Sequence, residues 1–264
     1  MHAGAALRLA YDGERMSRAV LVTGASRGIG AAIARAFASA GDRIGVHFGS
    51  SAAMAEEVAG SLPGNGHVVV GADLADAAAV KRMVDAAADG LGGLDVLVNN
   101  AGVFRPHPVA ETTYEEWQHA WRLTIDVNLV GAANASWCAA QHMIRTGGGS
   151  IVNISSRGAF RGEPKQPAYG ASKAGLVALG QSLARALGPY GISVTSVAPA
   201  LVDTDMAAEN LAGERGAQRR AESPLGRLAT PEEIAAAVLY LASPQAAMAS
   251  GTVLDINGAS YLRM

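Results

Sequence analysis

The chain has 264 residues, 50 % of them apolar and 17 % charged, with 21 basic against 23 acidic side chains for a formal charge of −2. That balance excludes a disordered chain and an extended nucleic-acid footprint. Cys138 is the only cysteine, which excludes an intrachain disulfide and a cysteine-based metal cluster and fits a reducing, cytoplasmic compartment.

No apolar stretch approaches the roughly 18 residues of a membrane-spanning helix. Residues 1–17 carry Arg8, Asp12, Glu14 and Arg15 and read as a loose arm, with Met16 as a second possible start, ahead of one domain over 18–264. A strand at 19–22 leads through a glycine turn into a helix with Ile33, Ala34, Phe37 and Ala38 on one face, closed by Gly41. A strand at 44–48, a helix to about 62, a strand at 68–70 and a helix over 76–89 follow. Next come a strand at 94–98, one long helical region over 114–145, and a strand at 150–154. A helix over 168–187 and strands at 192–197 and 253–256 complete the pattern. This alternation predicts a doubly wound, Rossmann-type α/β fold: a seven-stranded, mainly parallel sheet with helices on both faces. Ligands of such sheets bind beyond the carboxyl ends of the strands, where the strand order reverses.

Gly24, Gly28 and Gly30 follow the first strand and open its helix. Glycines there let the chain turn sharply and let a pyrophosphate approach the N–H groups of a helix N-terminus. Thr23-Gly24-Ala25-Ser26-Arg27-Gly28-Ile29-Gly30 is therefore a candidate phosphate cradle, with Thr23 and Ser26 also able to bond the turn itself. The second strand ends in Phe48-Gly49-Ser50-Ser51, with no acid to hold an adenosine ribose and repel an extra phosphate. Arg27 can pair with a 2′-phosphate, so the pattern favours NADP(H) over NAD(H). The alternative is that Arg27 is a solvated charge and Ser50 and Ser51 cap the next helix. Asp73, with Leu74, can accept from an adenine amino group or cap a helix. Asn99-Asn100-Ala101-Gly102 can tie strand ends together while leaving an open surface under a ribose.

Tyr169 and Lys173 are four apart near the start of a helix and share a face. Ser156 follows the fifth strand at the same edge. A phenol ordinarily titrates near 10 and needs a lower value to exchange protons at neutral pH; a nearby ammonium favours the phenolate. Asn128 reads as an ordinary helical residue. His2, His47, His67, His107, His119 and His142 have no metal-ligand spacing, and no metal site is expected. His107, in the loop after the fourth strand, is expected to be solvent-exposed or to line the pocket.

Together these motifs resemble the short-chain dehydrogenase/reductase family over about residues 18–262, most closely its 3-oxoacyl-[acyl-carrier-protein] reductases. The resemblance implies Tyr169 as acid/base, Lys173 as ribose ligand and tuner of the tyrosine, Ser156 as polariser of the substrate oxygen, and Asn128 as holder of a relay water. It implies cofactor contacts at the glycine turn, Asp73-Leu74, Asn100-Ala101-Gly102, Tyr169, Lys173, Pro199, Ala200, Val202 and Thr204. Ala200 departs from the family's Pro-Gly and would be strained if that position required positive φ. The implied activity is hydride transfer between nicotinamide and a ketone or secondary alcohol, a 3-oxoacyl thioester first, with a sugar, polyol or steroid alcohol dehydrogenase as the alternative. A nucleotide-binding regulator without chemistry would not need a tuned phenol. The implied partners are a small carbonyl or alcohol substrate, an acyl-carrier protein, and further copies of the chain in a homotetramer or homodimer. Phe104, Phe160 and Met206 suggest a partly apolar pocket. Arg161, Lys165, Arg215, Arg219 and Arg220 would either meet an acidic carrier or stay solvated.

Overall fold

The computed structural model describes residues 17–203 and 213–263, so residues 1–16 of the arm predicted over 1–17 and the positions of Thr204 and Met206 lie outside the described residues. β1 (Ala19–Val22), β2 (Arg43–Phe48), β3 (Val68–Gly71), β4 (Val96–Asn99), β5 (Gly149–Ile154), β6 (Ile192–Pro199) and β7 (Val253–Ile256) form one sheet in the order β3-β2-β1-β4-β5-β6-β7. Every pairing is parallel, so the expectation of a mainly parallel sheet sharpens to a wholly parallel one. The order reverses between β1 and β4, which opens the ligand crevice at their carboxyl ends.

Apolar runs rather than alternation mark these strands because both faces are covered. On one face Val20, Val22, Ile44, Val46 and Val98 pack with Ile33 and Phe37 of α1 (Gly28–Ser39) and with Ala55 of α2 (Ala52–Ser61). On the other, Leu21, Leu97, Ile151 and Val194 meet Val84 of α3 (Ala77–Leu91), and Met143 from the helical region that follows β4. That region is one continuous helical run, as expected, with a π-helical segment inside it. α4 (Tyr114–Ile125) gives way to a wide π-type turn at Asp126–Gly131 before α5 (Ala132–Thr146) resumes. A β-carbon on Gly131 would lie 2.6 Å from the Leu74 carbonyl, so the helix passes close to the loop after β3 only because residue 131 is glycine. Such turns re-aim side chains, here turning Asn128 inward.

The short helix α6 (Gly158–Arg161) precedes α7 (Pro167–Leu187), and α8 (Gly213–Ala221) follows the β6 loop. α9 (Pro231–Leu241) buries Ile234 and Val238 against the α1 side of the sheet. α9 lies outside the elements expected from the sequence, although Thr230, Pro231 and Glu233 form its capping box and first turn.

Candidate functional site

The glycine turn is built by the backbone. Gly24 and Gly28 take φ of +63° and +55°, a region that side-chain-bearing residues avoid. A β-carbon on Gly30 would fall 2.2 Å from the Gly24 carbonyl and 2.5 Å from Asn100 Nδ2. Arg27 at the N-cap offers no side-chain cap, α1 has no acid in its first turn, and the N–H groups of Gly28, Ile29 and Gly30 find no acceptor among the described residues. Donors without acceptors at a helix N-terminus suit an anion, so the turn fits the pyrophosphate of a dinucleotide. Thr23 serves the scaffold: its Oγ1 accepts from the N–H groups of Asn100 (2.9 Å) and Ala101 (3.0 Å). Asn100 Nδ2 returns a bond to the Thr23 carbonyl at 2.8 Å, and Asn99 Nδ2 reaches Asn153 Oδ1 at 2.9 Å, so these amides tie strand ends together as anticipated.

His47 contributes a support that sequence reasoning missed. The Gly24 N–H donates to its Nδ1 at 3.0 Å, leaving the proton on Nε2, which donates to the Ala72 carbonyl at 3.1 Å. Burial lowers its pKa and keeps the ring neutral, with the Ala72 bond acting in the opposite sense. One imidazole thus links the glycine turn to the end of β3. A histidine in the middle of a strand carries no sequence signal for that role.

The remaining nucleotide-side candidates separate. The Phe48 ring lies over Gly71, where a β-carbon would come within 2.7 Å of it. Arg27 is exposed and forms no ion pair among the described residues; Ser51 stands at the α2 N-cap without a side-chain cap bond, beside exposed Ser50. Ser51 thus caps α2 by position and backbone only, and neither serine hydroxyl makes a hydrogen bond among the described residues. Asp73 accepts from the Ala75 N–H at 2.9 Å, while the cap of α3 is Asp76. Leu74 is buried in the core, which leaves only its backbone to face a ligand. Partly buried Ser26 and Ile29 sit within the turn.

Ser156, Tyr169, Lys173 and Asn128 converge across the crevice. Lys173 is 3 % exposed. Its Nζ donates to the Ile154 carbonyl at 2.7 Å and stands 5.7 Å from the centroid of the Tyr169 ring. Burial alone lowers its pKa from 10.5 to about 8. The phenol moves the other way: burial raises it above its ordinary value, a hydrogen bond from Ser156 draws it back only in part, and the Glu163 carboxylate adds to the rise. The expected lowering by Lys173 is thus not seen. The Lys173 amine is committed to the Ile154 carbonyl, and burial is the largest influence on the phenol. Ser156 Oγ also accepts from the Gly158 N–H at 3.0 Å.

Asn128 is not an ordinary helical residue. It is 1 % exposed. Its Oδ1 accepts from the Val103 N–H (2.7 Å), and its Nδ2 donates to the Val103 carbonyl (3.0 Å) and to Ser172 Oγ (3.2 Å). Gly102 lies between Asn128 and Lys173: a β-carbon there would stand 3.3 Å from Asn128 Oδ1 and 3.5 Å from Nζ. Gly102 and neighbouring Ala101 keep this floor open, as a ribose needs.

At the far end, Ala200 is not strained: Ala259 is the positive-φ non-glycine residue among those described, and the Ala200 N–H donates to Ile256 at 3.1 Å. Pro199 is buried and its carbonyl accepts from the Arg157 N–H at 2.8 Å. Val202 is buried in the core, so its side chain does not face the crevice. Buried Arg157 bonds Ser260 and Glu222, and Arg161 and Arg219 also pair with Glu222. Phe104 sets its ring edge on Tyr169, with centroids 4.9 Å apart, while Phe160 lies under Arg263. Cys138 is buried, and burial raises its thiol pKa. Contrary to the expectation of exposure, His107 is 1 % exposed. Among the described residues no group of three His, Cys, Asp or Glu side chains could hold a metal ion, and no helix is long and apolar enough to cross a membrane.

A family model described as Enoyl-(Acyl carrier protein) reductase matches residues 24–259. The chain is 39 % identical to D-threitol dehydrogenase of Mycolicibacterium smegmatis, over 96 % of each chain. It is 37 % identical to the 3-oxoacyl-[acyl-carrier-protein] reductase FabG of Staphylococcus aureus, over 94 % of this chain and all (100 %) of that one. A solved structure of a double mutant of a Serratia marcescens short-chain dehydrogenase/reductase superposes with a TM-score of 0.83 at 39 % identity, covering 92 % of this chain and 97 % of that one.

Proposed function

The chain belongs to the short-chain dehydrogenase/reductase family, oxidoreductases that use a nicotinamide dinucleotide, and from that premise we propose that it is an NADP(H)-dependent enzyme interconverting a ketone and a secondary alcohol. The observation that carries this reading is the cluster of half-buried Ser156 and Tyr169 with buried Lys173, facing a turn of donor-only N–H groups across one crevice. The turn, Asn100, Ala101, Gly102 and the backbone of Leu74 would hold the dinucleotide, with Pro199, Ala200 and the backbone of Val202 around its nicotinamide end. When bound, the cofactor supplies or accepts the hydride.

The protein's own part is to hold and move a proton. A phenol raised by burial is an O–H donor at neutral pH, the form that protonates an oxygen during ketone reduction. Ser156 donates to that same substrate oxygen and fixes its distance from Tyr169. Lys173, lowered to about 8, sits in the range where an amine exchanges protons with solvent. We assign it to the nicotinamide ribose and to reprotonation of Tyr169. Asn128, across Gly102 from Nζ, is assigned to the water path from Lys173 outward. Arg27, Ser50 and Ser51, whose side chains make no hydrogen bond or ion pair among the described residues, support a 2′-phosphate and hence NADP(H).

A 3-oxoacyl thioester is the first substrate class in this reading. A polyol or sugar alcohol is the second, favoured by similarity to the threitol enzyme and by Glu222, which engages two of the cations an acidic carrier would meet. The test is oxidation of NADPH and of NADH with 3-oxoacyl thioesters, diketones and cyclic ketones, beside NADP-linked oxidation of polyols. NADPH-linked turnover of one class is expected. Tyr169→Phe should lose turnover about 10³-fold while nucleotide affinity stays within about twofold. Retained turnover in that variant overturns the reading.

A further inference from the structure

We propose that His107 is a positioning residue for Tyr169, acting from the loop after β4 as the N-terminal cap of α7. This rests on the reading of Tyr169 as proton donor and acceptor. α7 begins without a local cap: Gln166 offers no side-chain bond, and Pro167 in the first turn has no N–H. The next donor, the N–H of Ala168, belongs to a residue with 0 % exposure. A helix-start donor buried in this way needs an acceptor, and leaving it unmet is costly. The acceptor is His107 Nε2, 61 residues earlier in the chain, at 3.1 Å.

Accepting at Nε2 puts the ring proton on Nδ1, which donates to the Arg105 carbonyl at 2.8 Å. The His107 N–H donates to the Lys165 carbonyl at 2.8 Å, and the imidazole meets the edge of Trp117 with centroids 5.4 Å apart. The loop after β4, α4 and the start of α7 therefore meet on one ring. Tyr169 is the residue directly after the capped one, and Phe104 of the same loop packs its ring edge against the phenol. Ser156 hangs from β5, on a separate element. The spacing of Ser156 and Tyr169 thus depends on how α7 is seated, and His107 seats it.

The test compares three variants in the full chain. His107→Ala should lower kcat about 10- to 100-fold while NADPH affinity, read by fluorescence titration, changes less than about twofold, because the glycine turn lies elsewhere. His107→Gln places an amide oxygen where Nε2 stands and should restore most of kcat. His107→Asn ends nearer Nδ1, keeps a donor for Arg105 but not the acceptor for Ala168, and should leave kcat low. If the alanine variant does not fold, the contrast between Gln and Asn still decides. Equal kcat in those two, or an alanine variant with wild-type kcat, overturns the positioning role while an inactive Tyr169→Phe leaves the proposed function standing. An active Tyr169→Phe overturns the function itself, and the two failures are thereby distinguished.

Discussion

The two ends of the crevice solve the same problem by opposite means. On the nucleotide side, between β1 and β3, the ligand surface is backbone: positive-φ glycines, open N–H groups and one neutral imidazole bridging Gly24 to Ala72. On the chemical side, around β5 and α7, it is side chain: a buried amine, a half-buried phenol and a buried amide braced by hydrogen bonds. The first arrangement is sensitive to volume and keeps its buried imidazole neutral. The second is sensitive to charge and carries a standing cost in stability, because an ammonium in apolar surroundings is paid for by the rest of the fold.

Lys173→Met breaks the comparison most sharply. Turnover should fall by about 10³-fold, yet the protein should become more stable at pH 7. A lysine titrating at about 8 instead of 10.5 disfavours the folded state, by on the order of 3 kcal/mol, whenever the unfolded chain holds its proton more tightly. That cost is fully present below about pH 8 and fades as pH rises toward 10.5. Losing the bond to Ile154 returns part of the gain. Thermal unfolding at pH 7 against pH 10 reads the sign, and a variant less stable than wild type at pH 7 refutes the account.

Gly30→Ala tests the nucleotide side in its own terms. The added carbon meets the Gly24 carbonyl at 2.2 Å, and backbone cannot step aside as a flexible side chain does. A loss of about 1–3 kcal/mol in urea unfolding is expected, together with weaker binding of both nucleotides. Arg27→Ala should be milder and selective. A charge-assisted contact to a 2′-phosphate predicts an NADPH KM raised about 10- to 30-fold with NADH nearly unchanged. Equal effects on the two cofactors would remove Arg27 from the site.

What was legible in the sequence follows the same division. The glycine turn, the seven strands and the Tyr169–Lys173 face are local patterns, and each survives in the structure. Ser156 and the Asn99–Asn100 pair were visible because strand ends share one edge. The helix predicted over 114–145 is present but carries a π-helical segment whose Gly131 passes close to the Leu74 carbonyl, a contact that no local window contains. His47 and His107 were missed for that reason: each bonds a backbone group supplied by a distant segment. α9 was missed despite a local signal, since Thr230 and Glu233 spell a capping box before an apolar run. The tyrosine's pKa could not be read from Lys173 alone, because burial, the dominant influence, is tertiary.

The smallest expected effect belongs to His47, and it tests whether the imidazole on the nucleotide side is neutral, as its hydrogen bonds require. Its pKa lies below the ordinary 6.5 because the folded protein disfavours the imidazolium. Above about pH 6.5 neither state binds the proton and the contribution of His47 to stability is complete. As pH falls through 6.5 the unfolded chain takes up a proton that the folded protein refuses, so stability drops until the lowered folded value is reached. The slope from one such group is at most about 1.4 kcal/mol per pH unit. His47→Asn retains an acceptor for the Gly24 N–H but does not titrate, so its urea unfolding free energy should vary less with pH between 5 and 6.5 than that of the wild type. Parallel curves would mean that His47 is already protonated alike in both states, and the neutral bridge from Gly24 to Ala72 would have to be abandoned.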